Sequence, residues 1–80
     1  MRQRLSRIIL LVLQACGGMP MPEAALLSAA QNRERATDAD VSEALRDVEA
    51  AGYVQGSTDD LTGRSWTLTE KGVHKARGLR

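Results

Sequence analysis

The sequence predicts a mainly α-helical domain with a small β-hairpin: three helices, a two-stranded hairpin and a short final helix, in one unit spanning residues 1–80. Three observations lead there. Apolar residues recur at helical spacing in two stretches, 5–16 and 41–51, and each stretch is closed by glycine. Pro20 and Pro22, and then Thr37, mark where the second and third helices begin. Beyond Gly52, two short β-prone stretches flank a polar segment with glycine at either end. A chain of 80 residues hides only about 60–65% of its unfolded surface, so the core has to be economical.

In the first helix, over 5–16, Leu5, Ile8, Ile9, Val12, Leu13 and Cys16 share one broad face, and Gly17 and Gly18 end it. Leu10 and Leu11 lie outside that stripe. Their surplus apolar surface fits either contact with a second subunit or protein partner, or a central helix wrapped by its own neighbours. The second helix starts at Pro22, where a missing amide costs nothing, and carries Glu23 in its favourable first turn. It runs to about residue 31 on Leu26, Leu27 and Ala30. The charged segment 32–36 has no apolar period and reads as a solvated connection, its arginines either bare surface residues or phosphate contacts.

The third helix, 38–51, carries the clearest local signal. Thr37 and Asp40 have capping-box spacing, with aspartate in place of the usual glutamate, and Asp38 adds negative charge at the positive helix end. Val41, Leu45 and Val48, extended by Ala44 and Ala51, form the apolar stripe, and Gly52 supplies a left-handed stop. Tyr53-Val54-Gln55 then reads as one strand and residues 65–68 as its return, with 56–64 as a polar tip. Trp66 and Leu68 share a parity and face inward, and Tyr53 packs at the sheet edge or on the third helix. Thr69 caps a last helix containing Val73 and Ala76, which Gly78 weakens near its end.

Composition narrows the function. One cysteine cannot form an internal disulfide, and Cys16 with His74 is too few ligands for a zinc site, so the reading is a reduced, cytoplasmic protein without metal or cofactor. Two aromatic residues are too few for a base-stacking platform. The apolar run 8–13 is shorter than the ~18 residues that span a bilayer. It follows Arg2, Arg4 and Arg7, and Leu13-Gln14-Ala15-Cys16 resembles a bacterial lipoprotein processing site; the same stretch is needed for the core and is read as helix, with no membrane partner. No glycine-rich phosphate loop is present, since Gly17-Gly18 leads into Met19-Pro20-Met21; His74 has no carboxylate partner by spacing, and Cys16 sits in an apolar helical face where cysteine is an inert small hydrophobe, which argues against an enzyme.

Three helices followed by a hairpin is the element order of a winged helix-turn-helix domain. Within it, residues 41–52, the turn containing Asp59 and Asp60, Arg64, and the phrase Leu68-Thr69-Glu70-Lys71-Gly72 resemble the third helix and wing of MarR-like and PadR-like bacterial regulators. The resemblance implies a small DNA-binding transcription regulator of bacterial or phage origin. Its third helix would enter the major groove, and its wing (56–65) would reach the backbone or minor groove. Arg46 would then meet a phosphate or a guanine edge, Ser42 a phosphate, and Arg64 the DNA beside the wing, with Lys71 in a basic tail completed by Lys75, Arg77 and Arg80. Alternatively, Arg64 pairs with Asp59 or Asp60 and shapes the hairpin.

Charge divides the functional reading. Residues 38–51 carry five carboxylates and one arginine, a net of minus four that a polyanion repels, while the wing and tail are basic. Glu43 and Asp47, with Leu10 and Leu11, are therefore the residues of the second reading, a winged-helix module that binds another protein instead of DNA. MarR-like regulators also carry extra helices that build their dimer. This sequence holds essentially none, so a homodimer is expected to use the first helix, the last helix or both.

Overall fold

The computed structural model describes residues 2–61 and 63–79. The elements are α1 (Arg2–Ala15), β1 (Met21–Pro22), α2 (Glu23–Arg33), α3 (Asp38–Ala50), β2 (Val54–Asp59), β3 (Gly63–Leu68) and α4 (Glu70–Gly78).

α1 is the centre of the fold. Leu5, Ile9, Leu10, Val12 and Leu13 are each no more than 4% exposed, and α2, α3, α4 and β3 all pack against this helix. Of the two arrangements open from sequence, the wrapped helix is the one found. Leu10 is 3% exposed and belongs to the core. A helix enclosed from several sides buries more than one stripe. Leu11 stays half-buried.

α3 lays Val41, Ala44, Leu45 and Val48 onto that core, and its start is a complete capping box. Asp40 N donates to Thr37 Oγ1 (3.1 Å) and Thr37 N to Asp40 Oδ2 (3.2 Å), which satisfies donors that a helix end leaves open. Its end closes on Gly52 at φ 84°, with Gly52 N donating to Glu49 O and Tyr53 N to Val48 O, both at 2.9 Å. This is the Schellman arrangement, and it needs a residue at ease with positive φ.

The hairpin belongs to a three-stranded antiparallel sheet of order β1-β3-β2, not a two-stranded one. Met21 pairs with Trp66 and Pro22 with Ser65, so the segment before α2 is an edge strand; proline is tolerated there because an edge leaves amide positions unpaired. Pro22 accordingly occupies the position just before α2, which begins at Glu23 and continues past the expected end to Arg33. β2 and β3 are also longer than expected. Much of the polar stretch 56–64 is paired strand, with Gly56 opposite Trp66 and Asp59 opposite Gly63, and Tyr53 lies just before β2. Trp66 is 2% exposed and inward, as its parity predicts, with Leu68 packed at the core margin.

The phrase 68–72 locks α3, the sheet and α4 together. Thr69 Oγ1 accepts from Gly72 N (3.1 Å) and donates to Gly52 O (2.6 Å), while Thr69 N donates to Tyr53 O (3.0 Å). A methyl group at Gly72 would overlap the Tyr53 carbonyl oxygen, so only glycine permits this approach of α4. At the far end of α4, the Arg7 guanidinium donates to Leu79 O (3.0 Å) and ties the carboxyl-terminal turn back to α1.

Candidate nucleic-acid interface

Ser42 and Arg46 are one helical turn apart on α3, and the wing brings Arg64 to the same side. The three line one cleft of about 210 Å³ together with Glu23, Leu45, Glu49 and Trp66. Ser42 is half-buried, whereas Arg46 and Arg64 are exposed. The cleft therefore offers two guanidinium groups and a hydroxyl, the donor types that meet phosphates and base edges, beside two carboxylates that favour cytosine amino groups and oppose phosphate.

Arg64 is held by a stack. Its guanidinium carbon lies 5.3 Å from the centroid of the Trp66 ring, and the indole N–H donates to Glu23 Oε1 at 3.1 Å. Across the strand pair sits Gly56, where an added Cβ would come within 2.9 Å of the indole; the ring has its place because that residue has no side chain. Asp59 Oδ1 accepts from Leu61 N (2.7 Å) and shapes the turn at the wing tip. Glu23, Gly56 and Trp66 are not among the residues that the sequence marks for the site. The available signal is the indole N–H, which needs an acceptor when buried.

Lys71 does not stand with these residues. Its ammonium donates to Ala51 O (2.7 Å) and lies 5.1 Å from the centroid of Tyr53, so it caps the end of α3, where a cation meets unpaired carbonyls and the negative helix end. That placement gives Lys71 a structural contact at the helix end instead of a position in the cleft. Lys75 and Arg77 are exposed on α4, while Arg80 lies outside the described residues. Among the residues of the acidic reading, Glu43 is exposed and Asp47 half-buried on α3.

Other chemistry is sparse. Among the described residues no three His, Cys, Asp or Glu side chains form a group able to hold a metal ion, and no helix is long and apolar enough to cross a membrane. His74 is exposed on α4 and Cys16 lies just past the end of α1, beside β1.

No family model matches the sequence, and no curated protein matches it. Solved structures do match in fold. SSV1 F-93 superimposes with a TM-score of 0.75 at 19% identity, over 92% of this chain and 80% of that one. A MarR-family transcriptional regulator from Silicibacter pomeroyi gives 0.73 at 21% identity, over 94% of this chain and 48% of that one. Lactococcus lactis ZitR, in a single-substitution mutant form, gives 0.71 at 21% identity, over 92% and 47%. The chain thus spans about half the length of the latter two, and it has the winged-helix fold that the element order predicts.

Proposed function

We propose that this protein is a small DNA-binding transcription regulator that presents α3 to the major groove and the wing to the adjacent backbone or minor groove. The observation that carries the reading is the convergence of Ser42, Arg46 and Arg64 on one cleft between α3 and the wing. Arg46, exposed in the middle of α3, has the reach to meet a guanine edge or a phosphate, and Arg64, braced on Trp66, meets the backbone. Lys75 and Arg77 add positive charge. Recognition of a two-fold site calls for a pair of chains, and Leu11 on α1 together with the exposed side of α4 are the surfaces left for it once Leu10 is in the core.

The test is fluorescence anisotropy of a mixed genomic duplex pool at two salt concentrations, with the mass of the protein measured on the same sample. Binding that weakens with salt, and weakens further in Arg64→Ala, is the expected result, since each phosphate contact releases counterions. Absence of binding at low salt overturns the proposal.

One observation favours a second reading. α3 carries Asp38, Asp40, Glu43, Asp47 and Glu49 against Arg46 alone, and Glu49 stands inside the cleft. A basic protein partner suits that helix better than a polyanion does. Reversing charge at Glu43 and Asp47 should then weaken capture of that partner.

A further inference from the structure

A second cleft, of about 540 Å³, opens where α4 packs on α1, and it shares no lining residue with the α3–wing cleft. Its floor is apolar, made by buried Leu10 and Val48 with half-buried Tyr53 and Leu79. Its rim is basic. Arg4 and Arg7, three residues apart on α1, line it together with Lys75 from α4, and no carboxylate is among its lining residues. The Arg7 guanidinium is held in place by donating to Leu79 O at 3.0 Å, a bond that engages one of its five donors. Arg4 meets Glu34 at 3.4 Å with its own side chain 72% exposed, and Lys75 has no ion-pair or hydrogen-bond partner among the described residues.

We propose that this cleft binds one small organic phosphate, a phosphomonoester carried on an apolar or aromatic body. The volume lies within the range of about 300–1,000 Å³ usual for small-molecule sites, and an apolar floor under a few converging polar groups is their usual build. Cations of one sign gathered over a low-dielectric floor focus their field on an anion. The number of charges selects the anion. A phosphomonoester brings about 1.5–2 negative charges near neutral pH and three acceptor oxygens, which Arg4, Arg7 and Lys75 match. A carboxylate brings one charge and leaves the remaining cations to repel each other. The two guanidinium groups grip phosphate oxygens in pairs, and the ammonium adds a point charge from the opposite helix. The body of the ligand then covers Leu10, Val48 and Leu79 beside the Tyr53 ring. In the sequence Lys75 reads as part of a basic tail; the packing of α4 on α1 is what carries it to the arginines.

The test is isothermal titration calorimetry of the intact protein with phenyl phosphate, benzoate and inorganic phosphate, well above the second phosphate pKa of about 6. One phenyl phosphate per chain is expected, bound more tightly than benzoate, which lacks the second charge, and than inorganic phosphate, which lacks the body. Lys75→Ala and Arg4→Ala should each weaken it about tenfold or more, since each removes a charge-assisted contact. Both side chains are exposed and Arg4 gives up only a surface ion pair, so the fold is expected to survive, and far-ultraviolet circular dichroism of each variant checks this. Arg64→Ala removes the same charge from the other cleft and should leave the affinity unchanged. No saturable binding, full affinity in folded Lys75→Ala or Arg4→Ala, or an equal loss in Arg64→Ala, which reports net charge alone, overturns the site. Benzoate bound as tightly as phenyl phosphate overturns the assignment to phosphate.

Discussion

The Trp66 indole N–H and the Glu23 carboxylate meet at 3.1 Å, which joins the middle of the wing strand to the first turn of α2. The same carboxylate sits at the positive end of that helix, so one side chain satisfies a buried donor and complements the helix terminus. Replacing Glu23 by Ala leaves the indole N–H unpaired in a residue that is 2% exposed, at a cost of about 1–3 kcal/mol. Urea unfolding followed by the emission of Trp66, the one tryptophan, measures it; a midpoint equal to that of the unsubstituted protein refutes the role.

Two glycines are predicted to be intolerant for different reasons. Gly56→Ala drives a methyl group to 2.9 Å from the Trp66 ring, which can tilt, and overpacking of this kind costs about 1–3 kcal/mol. Gly72→Ala meets backbone, the Tyr53 carbonyl, which cannot turn aside without breaking its bond from Thr69 N. The larger loss is therefore expected at Gly72. Gly78→Ala is the control, since nothing lies within 4 Å of the added atom and the residue ends a helix; it should be neutral or stabilising by up to about 1 kcal/mol. Urea midpoints for the three variants check the order.

These pairs also show which parts of the molecule are legible in the sequence. Val41, Leu45, Val48 and the Thr37 cap are, because helical period and capping are short-range properties written in neighbouring residues. β1 is not: two residues carry no period, and Met21–Pro22 is a strand only because Trp66 and Ser65 lie beside it. Burial of Leu10 depends on how many elements surround α1, which its own spacing does not encode. In the site, Ser42 and Arg46 follow from their one-turn spacing. The Glu23–Trp66–Arg64 stack does not, since its members come from separate elements, and the contact of Lys71 with the end of α3 is hidden because a charge pattern records a cation without its destination.

Lys71 and Arg64 should separate cleanly in experiment. Lys71→Ala removes a charged donor from the Ala51 carbonyl and a cation from the Tyr53 ring, and it should lower stability by about 1 kcal/mol. If DNA binds as proposed, the slope of log K against log salt should stay unchanged in that variant. Arg64→Ala should do the opposite, keeping stability within about 0.5 kcal/mol while reducing the slope by about one unit. A change of slope in Lys71→Ala would place that residue in the interface.

The carboxylate inside the cleft gives the sharpest contrast between the two functional readings. Glu49 lines the same cavity as Arg46 and Arg64, so it both offsets their charge and faces whatever enters. Against DNA, Glu49→Gln removes a repulsion near the phosphates and should tighten binding by about 0.3–1 kcal/mol at low salt, with the gain shrinking as salt is raised. Against a basic protein partner, the same substitution removes an attraction and should weaken the complex by a comparable amount. Anisotropy with duplex DNA and calorimetry with a captured partner read opposite signs from one variant. An affinity for DNA that falls in Glu49→Gln, where charge alone demands a rise, would place this carboxylate on a base edge, as an acceptor for a cytosine amino group.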